Sequence, residues 1–541
     1  MKILFAVSEA IPFAASGGLA DVGGSLPRAI RNRGNACRVV MPLYDTIAPQ
    51  YRERMEFVAE FSVQLSWRRQ SCSVYRLTEG GVVYYFLENN YYFQRGKLYG
   101  EFDDGERFAF FSKAVLDMLE PAGFIPDIIH CNDWQTALIP TYLNLFYRSR
   151  DAYREIGTIF TIHNIQFQGK YGMDMVQDVL GIPPAMQGTV EYDGCCNLMK
   201  GAIEQANLVT TVSPTYAVEL MDPWFSYGMD RLLREHRAKL LGITNGIDTA
   251  LYDPVRDPLL PARYSAQDPG SKKVCRREMQ KTMGIETNQN PVVAMVTRLT
   301  YQKGIDLLRY IFEEMMQLPI SFVLLGSGDW DYEQFFLDMQ GRYPGRVGVN
   351  IGFDAALSRR IYAGADLFLM PSATEPCGLA QMIAMRYGTI PVVRRTGGLR
   401  DTVTDAGGGG CGYTFETYNA HDMLGALKRA VADYSDRELW ESLIVKAMNQ
   451  EFGWGHEAAE YSTLYHRIAD KEEPRNTPAK QSRFAGVFGQ EKPPARWWPQ
   501  GAFAVLILYP REERSGHRKK RDRQCVSSLF ERRAKHSARK A

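Results

Sequence analysis

The sequence offers no pairing for its cysteines. There are nine, an odd number, and none stand in a CxxC spacing; Cys195 and Cys196 are adjacent. A disulfide framework and a cysteine-based zinc site are both excluded, and reduced thiols in a cytoplasmic setting are the expectation. No apolar run approaches the roughly 20 residues of a membrane-spanning helix; the longest late one covers only 502–509. The opening run 2–7 is too short for a signal peptide, and no Arg/Ser-rich segment precedes it, so no targeting address is expected. No charge of one sign dominates either, the net being +2. That balance hides a division. Residues 471–541 hold 18 Lys and Arg against 7 Asp and Glu, leaving a net −9 for residues 1–470. An acidic body gives no electrostatic case for nucleic acid. The tail, with Arg518-Lys519-Lys520-Arg521, is expected to be a disordered arm.

What is present is a recurrence of short Val/Ile/Leu-rich runs separated by helical stretches. One set covers 3–7, 37–41, 82–87, 127–130, 158–162 and 208–212. A second covers 291–296, 322–325, 347–351, 367–370 and 391–393. Continuous apolar runs alternating with helices predict parallel sheets covered on both faces. Two sets predict two doubly wound α/β domains, divided near the turn-rich segment 244–254. At 541 residues the chain also exceeds one ordinary core. Ligands of such sheets bind beyond the carboxyl ends of the strands, so the informative residues are those just after each run.

Several polar clusters stand there. Gly17-Gly18 follows the first run, though not in a GxGxxG spacing, so a dinucleotide fingerprint is absent. Unhindered amides between strand and helix make an anion site or an ordinary turn. Arg298 and Lys303 follow the run 291–296, a planar fork and a point charge suited to a pyrophosphate, or else two solvated surface cations. Glu375, Cys377, Gly378 and Leu379 follow 367–370, a carboxylate before a glycine-containing helix start. Cys377 has no His near it in sequence and reads as a packed thiol. Thr396-Gly397-Gly398 repeats the polar-glycine pattern. In the first half, His130 to Trp134 and Thr161 to Asn164 place Asp133 and His163 at neighbouring strand ends; the histidines read as core groups or as part of one cleft, and no third metal ligand stands at a recognisable spacing. Asp329-Trp330-Asp331 has the acid-x-acid form of a metal motif but is expected to be a loop and helix cap.

Taken in order from residue 1 to about 470, these segments resemble one family, the ADP-glucose-dependent bacterial glycogen synthases and plant starch synthases. The resemblance rests on Ser16-Gly17-Gly18-Leu19-Ala20-Asp21-Val22, Glu106 to Phe111, His130 to Trp134, Thr161 to Asn164, Thr211 to Tyr216, Asn245-Gly246-Ile247-Asp248, Arg298 to Gly304, Glu375 to Leu379 and Arg394 to Leu399. It implies a GT-B fold: an N-terminal Rossmann-like domain (1–245), a C-terminal one (246–455), a helix (456–470) returning to the first domain, and the tail (471–541). It implies retaining transfer of glucose from ADP-glucose to the non-reducing 4-hydroxyl of an α-1,4-glucan, in the cytoplasm, with no cofactor, metal, nucleic acid or membrane partner. Arg298 and Lys303 would clamp the diphosphate, Glu375 would hold the donor glucose, His163 would lie beside the reacting carbon, and Asp133 and Asn245 would complete the catalytic cleft. Gly17, Gly18, Cys377, Gly378, Leu379, Thr396 and Gly397 would bind the donor, and Phe353 would stack on adenine. The sequence carries no signal for an oligomeric state.

Two departures qualify the resemblance. The family commonly reads Lys-Thr-Gly-Gly-Leu where this chain has Ala15-Ser16-Gly17-Gly18-Leu19, so the charge at the glycine loop is expected to come from Arg298 and Lys303 across the cleft. A second Glu, eight residues after the first in many GT-B enzymes, is Ile383 here. Three rival readings follow: a related enzyme using UDP-glucose or a small acceptor, a catalytically weak glucan-binding protein, and a polyanion binder acting through the tail.

Overall fold

The computed structural model describes residues 1–470; the expectation of a disordered tail at 471–541 lies outside the described residues. Among the described residues eighteen strands form three sheets. In chain order they are β1 (Lys2–Ala6), β2 (Ala36–Pro42), β3 (Glu56–Leu65), β4 (Arg68–Glu79), β5 (Val82–Glu88), β6 (Ile128–Asn132), β7 (Gly157–Ile162), β8 (Lys170–Tyr171), β9 (Glu191–Tyr192), β10 (Cys195–Asn197), β11 (Leu208–Thr211) and β12 (Leu240–Gly242), followed by β13 (Val292–Val296), β14 (Ser321–Gly326), β15 (Val347–Ile351), β16 (Leu367–Met370), β17 (Ile390–Arg394) and β18 (Tyr413–Phe415).

The first sheet has the order β12-β11-β7-β6-β1-β2-β5-β4-β3, and the second β15-β14-β13-β16-β17-β18. The second is parallel throughout. The first is mixed, because β4 runs antiparallel to both β3 and β5, which corrects the all-parallel expectation there. Strands β3 and β4 escape a search for continuous apolar runs because they alternate. In β4, Cys72 and Val74 are buried between exposed or half-exposed neighbours, the period of a sheet edge with one wet face. The small sheet β8-β10-β9 is likewise too short to leave a pattern.

Each large sheet has a topological switch point. In the first, the order departs from β1 in both directions, to β2 on one side and β6 on the other. In the second, β13 is flanked by β14 and β16. Loops leaving two such neighbours diverge to opposite faces and open a crevice. The loops after β1 and β6 carry Gly17 and Asp133; those after β13 and β16 carry Lys303 and Glu375.

The helix Gly455–Ala469, expected over 456–470, packs on the helix Gly18–Asn32 and on β7 of the first sheet. His130 explains part of this attachment. It lies inside β6 rather than after a strand, fully buried. Its ring nitrogens bond the Tyr465 hydroxyl at 2.8 Å and the Thr161 hydroxyl at 2.6 Å. Burial pushes its pKa down to about 3, so it is a neutral core group that ties the terminal helix to the sheet. Tyr465→Phe leaves one ring nitrogen without a partner and is expected to cost about 1–3 kcal/mol. Thermal denaturation reads this, and substrate KM values should stay unchanged.

Candidate active site

On the second sheet, the turn after β13 and the turn after β16 are pressed together. Gly304 has φ 73°, and a side chain there would sit 2.1 Å from the Pro371 carbonyl oxygen. Only glycine combines that left-handed conformation with so close an approach. The Ala373 amide donates to the Gln302 carbonyl at 2.9 Å. This closeness brings Lys303 Nζ to 2.6 Å from Glu375 Oε2, and the Ser372 hydroxyl donates to the same oxygen at 2.9 Å. Glu375 is buried. Its main chain is braced by the second glycine pair. Gly397 has φ 45°, a side chain on it would meet the Glu375 carbonyl oxygen at 2.0 Å, and the Gly398 amide donates to that oxygen at 3.1 Å.

On the first sheet, Asp133 directly follows β6 in a conformation with φ 56° and ψ 179°, a region otherwise occupied almost only by glycine. That geometry aims its carboxylate back at the next strand end. Asp133 Oδ1 accepts the His163 amide at 2.7 Å and the Asn164 amide at 3.3 Å. Burial nonetheless raises its pKa to about 7. The His163 ring is set by Asn132. Asn132 Nδ2 donates to the Ala6 and His130 carbonyls, so its Oδ1 is the atom that accepts from His163 Nε2 at 2.9 Å. Burial holds His163 down to about 3. The imidazole is therefore neutral at pH 7 and offers hydrogen bonds, not charge.

The glycine loop faces the second domain. Gly17 has open space around it, while a side chain on Gly18 would sit 3.3 Å from Leu379 Cδ1. The Ser16 amide donates to Glu9 Oε2 at 2.5 Å. Gly23 and Gly24, in the same helix, seat it on the carbonyls of Glu9 and Ile11, which a side chain would approach to 2.7 and 2.6 Å. Cys377 is buried, with the Asn245 backbone amide directed at its thiol, and burial pushes that thiol up to about 12. It is a packed thiol, as expected from the sequence.

The domains also clasp each other directly. Ser213 donates to the Pro376 carbonyl at 2.8 Å. Thr215 donates through its amide and hydroxyl to Asp401 at 3.0 and 2.5 Å. Glu219 Oε1 accepts both the Thr396 hydroxyl and the Gly397 amide at 2.9 Å. Thus the structure brings together Lys303 with Glu375, Asp133 with His163, Gly18 with Leu379, and Asn245 with Cys377. It ties Thr396 and Gly397 to Glu219. Arg298 is exposed and makes no ion pair among the described residues. Phe353 is 91% exposed, following Gly352 at the end of β15. Asp329 occupies the N-cap position of the helix Trp330–Arg342 but its side chain makes no capping bond; Glu333 accepts the Gly328 amide instead. Among the described residues no group of three or more His, Cys, Asp or Glu could hold a metal ion.

Sequence reasoning passed over Glu9, Asn132, Ser372 and Glu219. Ser372 and Glu375, three apart after a strand, carried a signal. Glu219 carried none, because its partners lie 177 and 178 residues away.

Comparison with known proteins agrees with this fold. A family model described as starch synthase catalytic domain matches residues 2–235, and one described as glycosyl transferases group 1 matches residues 277–446. A glycogen synthase of Geobacillus thermodenitrificans is 49% identical over 479 residues, covering 87% of this chain and 99% of the relative. The chain belongs to the glycogen and starch synthase family. A second such glycogen synthase, from Geobacillus stearothermophilus, is 48% identical over the same length, again covering 87% of this chain and 99% of the relative. The structure of the catalytic domain of starch synthase IV from Arabidopsis thaliana, bound to ADP and acarbose, superposes with a TM-score of 0.81 at 34% identity, covering 87% of this chain and 99% of that one. Sucrose-phosphate synthase from Thermosynechococcus elongatus shares the fold alone, with a TM-score of 0.56 at 18% identity, covering 87% of this chain and 99% of that one. This member of the glycogen and starch synthase family is accordingly a glycosyltransferase of GT-B architecture.

Proposed function

We propose that this chain transfers glucose from ADP-glucose to the non-reducing 4-hydroxyl of an α-1,4-glucan with retention of configuration. The observation that carries the reading is the meeting of two switch points: Lys303 and Glu375 at one, Gly17, Gly18, Asp133 and His163 at the other, with Gly18 against Leu379 between them. The glycogen synthase relatives, and the ADP and acarbose bound in the Arabidopsis structure, support these donor and acceptor classes.

In the reaction the bond from glucose C1 to the diphosphate breaks and a bond to the acceptor oxygen forms. The acceptor proton leaves toward the departing phosphate, on the same face of the sugar. Negative charge grows on the phosphate, where Lys303 and Arg298 stabilise it, each contributing about 3 kcal/mol. Lys303 exchanges part of its bond with Glu375 for the phosphate, which releases Glu375 to accept sugar hydroxyls. Neutral His163 hydrogen-bonds the sugar, and Asp133 holds the His163 turn in place. Phe353 stacks on adenine, and Asn245, Cys377, Gly378 and Leu379 line the donor side. The domain division at 245, 455 and 470 belongs to the same reading, supported by the two sheets and the returning helix. So does a cytoplasmic setting, supported by the eight cysteines that stand as buried thiols among the described residues. No helix among the described residues is long and apolar enough to cross a membrane.

The test is ADP release from ADP-glucose with glycogen present, in excess EDTA, beside a UDP-glucose control. Rapid glycogen-dependent release of ADP is expected, undiminished by the chelator. Release only from UDP-glucose, or glycogen binding with no release, would replace this reading with one of its rivals; complete loss restored by a divalent metal would remove the metal-free clamp.

A further inference from the structure

Glu9 is a buried carboxylate that the chemistry above does not use. It is 3% exposed and stands three residues beyond the end of β1. Its Oε2 receives the Ser16 amide at 2.5 Å, directly before the glycine pair. Gly17 then takes an extended conformation, φ −172° and ψ −166°, as the residue preceding the helix Gly18–Asn32. The carboxylate therefore fixes where the loop turns into the helix. The loop's far side is held by backbone packing of Gly23 and Gly24 on residues 9 and 11. Among the described residues no cation pairs with Glu9. Position 15, one residue before the amide it holds, is Ala, and the groups around Glu9 are the carboxyls of Asp133 and Asp21 together with the hydroxyls of Tyr44, Tyr99 and Ser16.

We propose that Glu9 is the positioning residue of the donor loop, which by holding the Ser16 amide orients the amides of Gly17 and Gly18 toward the donor diphosphate. The proposal rests on the donor reading given above. It has an electrostatic consequence particular to this chain. An ionised Glu9 beside the loop repels a diphosphate, whereas a protonated Glu9 does not, and its carbonyl oxygen still accepts the Ser16 amide. Burial raises Glu9 to about 7, so donor affinity should weaken as pH rises through neutrality.

The experiment compares wild type, Glu9→Ala and Glu9→Gln, measuring KM for ADP-glucose and for glycogen separately between pH 6 and 8.5, together with ADP binding by calorimetry. Glu9→Ala should raise the ADP-glucose KM at least 10-fold and leave the glycogen KM within twofold. Glu9→Gln, which keeps an oxygen for the Ser16 amide and cannot ionise, should restore donor KM and flatten its rise with pH. An Ala variant whose donor KM stays within twofold of wild type overturns the proposal. So does a Gln variant that keeps the wild-type pH profile. If Glu9→Ala does not fold, the Gln profile alone decides. Wild type that neither binds ADP nor releases it would sink the donor reading instead, and is told apart by being seen before any substitution is made.

Discussion

Lys303→Ala should lower turnover roughly 100-fold or more, the size of effect seen when one preorganised charge-stabilising group is removed. A 100-fold loss corresponds to about 2.7 kcal/mol of transition-state stabilisation. The structure adds a second consequence. Lys303 is the only residue with an ion pair to Glu375 among the described residues, at 2.6 Å, and Ser372 would be left as the sole side-chain donor to that oxygen. A buried carboxylate stripped of its cation is destabilising, so thermal stability should fall as well. Removing both partners should then recover stability without recovering turnover: Lys303→Ala with Glu375→Ala melts closer to wild type than Lys303→Ala alone, yet stays inactive. Arg298→Ala is the contrast. That side chain is exposed and without an ion pair among the described residues, so turnover should drop while the melting temperature holds. Near-normal turnover in both single variants would remove the diphosphate clamp from the mechanism.

How far such a site can be read from sequence depends on how local its geometry is. Eleven runs of Val, Ile and Leu marked strands of both large sheets, because a strand buried on both faces needs apolar residues at every position. Their ends then located Asp133, His163, Lys303 and Glu375. Strands β3 and β4 were hidden by their alternation. The run 127–130 ended its strand two residues early, since nothing in the segment His130 to Trp134 tells the last paired residue from the first free one. The pairing of Lys303 with Glu375 was out of reach. The two lie 72 residues apart, and only the adjacency of β13 and β16 in the sheet joins them. Thr396 and Gly397 stand in a polar-glycine pattern after a strand, and the family resemblance implied that they bind the donor. The same pattern donates two hydrogen bonds to Glu219 of the other domain and braces the Glu375 carbonyl. A glycine that permits close approach looks the same in sequence whether a ligand or a neighbouring turn does the approaching. The two-domain α/β class was therefore legible, and so were the strand ends that carry the candidate residues. Their pairings were not, because each depends on the order of strands in space.

Asp133 shows how stability and function pull apart at one residue. Its backbone, at φ 56° and ψ 179°, costs about 1–3 kcal/mol in a non-glycine residue. Asp133→Gly relieves that strain and also removes a buried carboxyl. The variant is expected to be more stable than wild type and at least 100-fold less active, because the amides of His163 and Asn164 lose their acceptor and the His163 turn is freed. The stability gain should depend on pH in a definite direction. The carboxyl's pKa is raised from its ordinary 3.8 to about 7 in the fold. Between those values the unfolded chain has released the proton that the folded chain still holds, so ionisation erodes wild-type stability as pH rises. The advantage of Asp133→Gly over wild type should therefore widen from about pH 4 to pH 7 and level off above. Asp133→Asn separates the two causes. It keeps the strain and an acceptor oxygen but cannot ionise, so it should retain more activity than Asp133→Gly and show none of the wild-type pH slope. Chemical denaturation across that pH range, beside turnover at pH 7, reads all three proteins. A glycine variant less stable than wild type at every pH would mean that the carboxylate's two hydrogen bonds outweigh the strain and burial together, and that the conformation is held for the fold and not for the site.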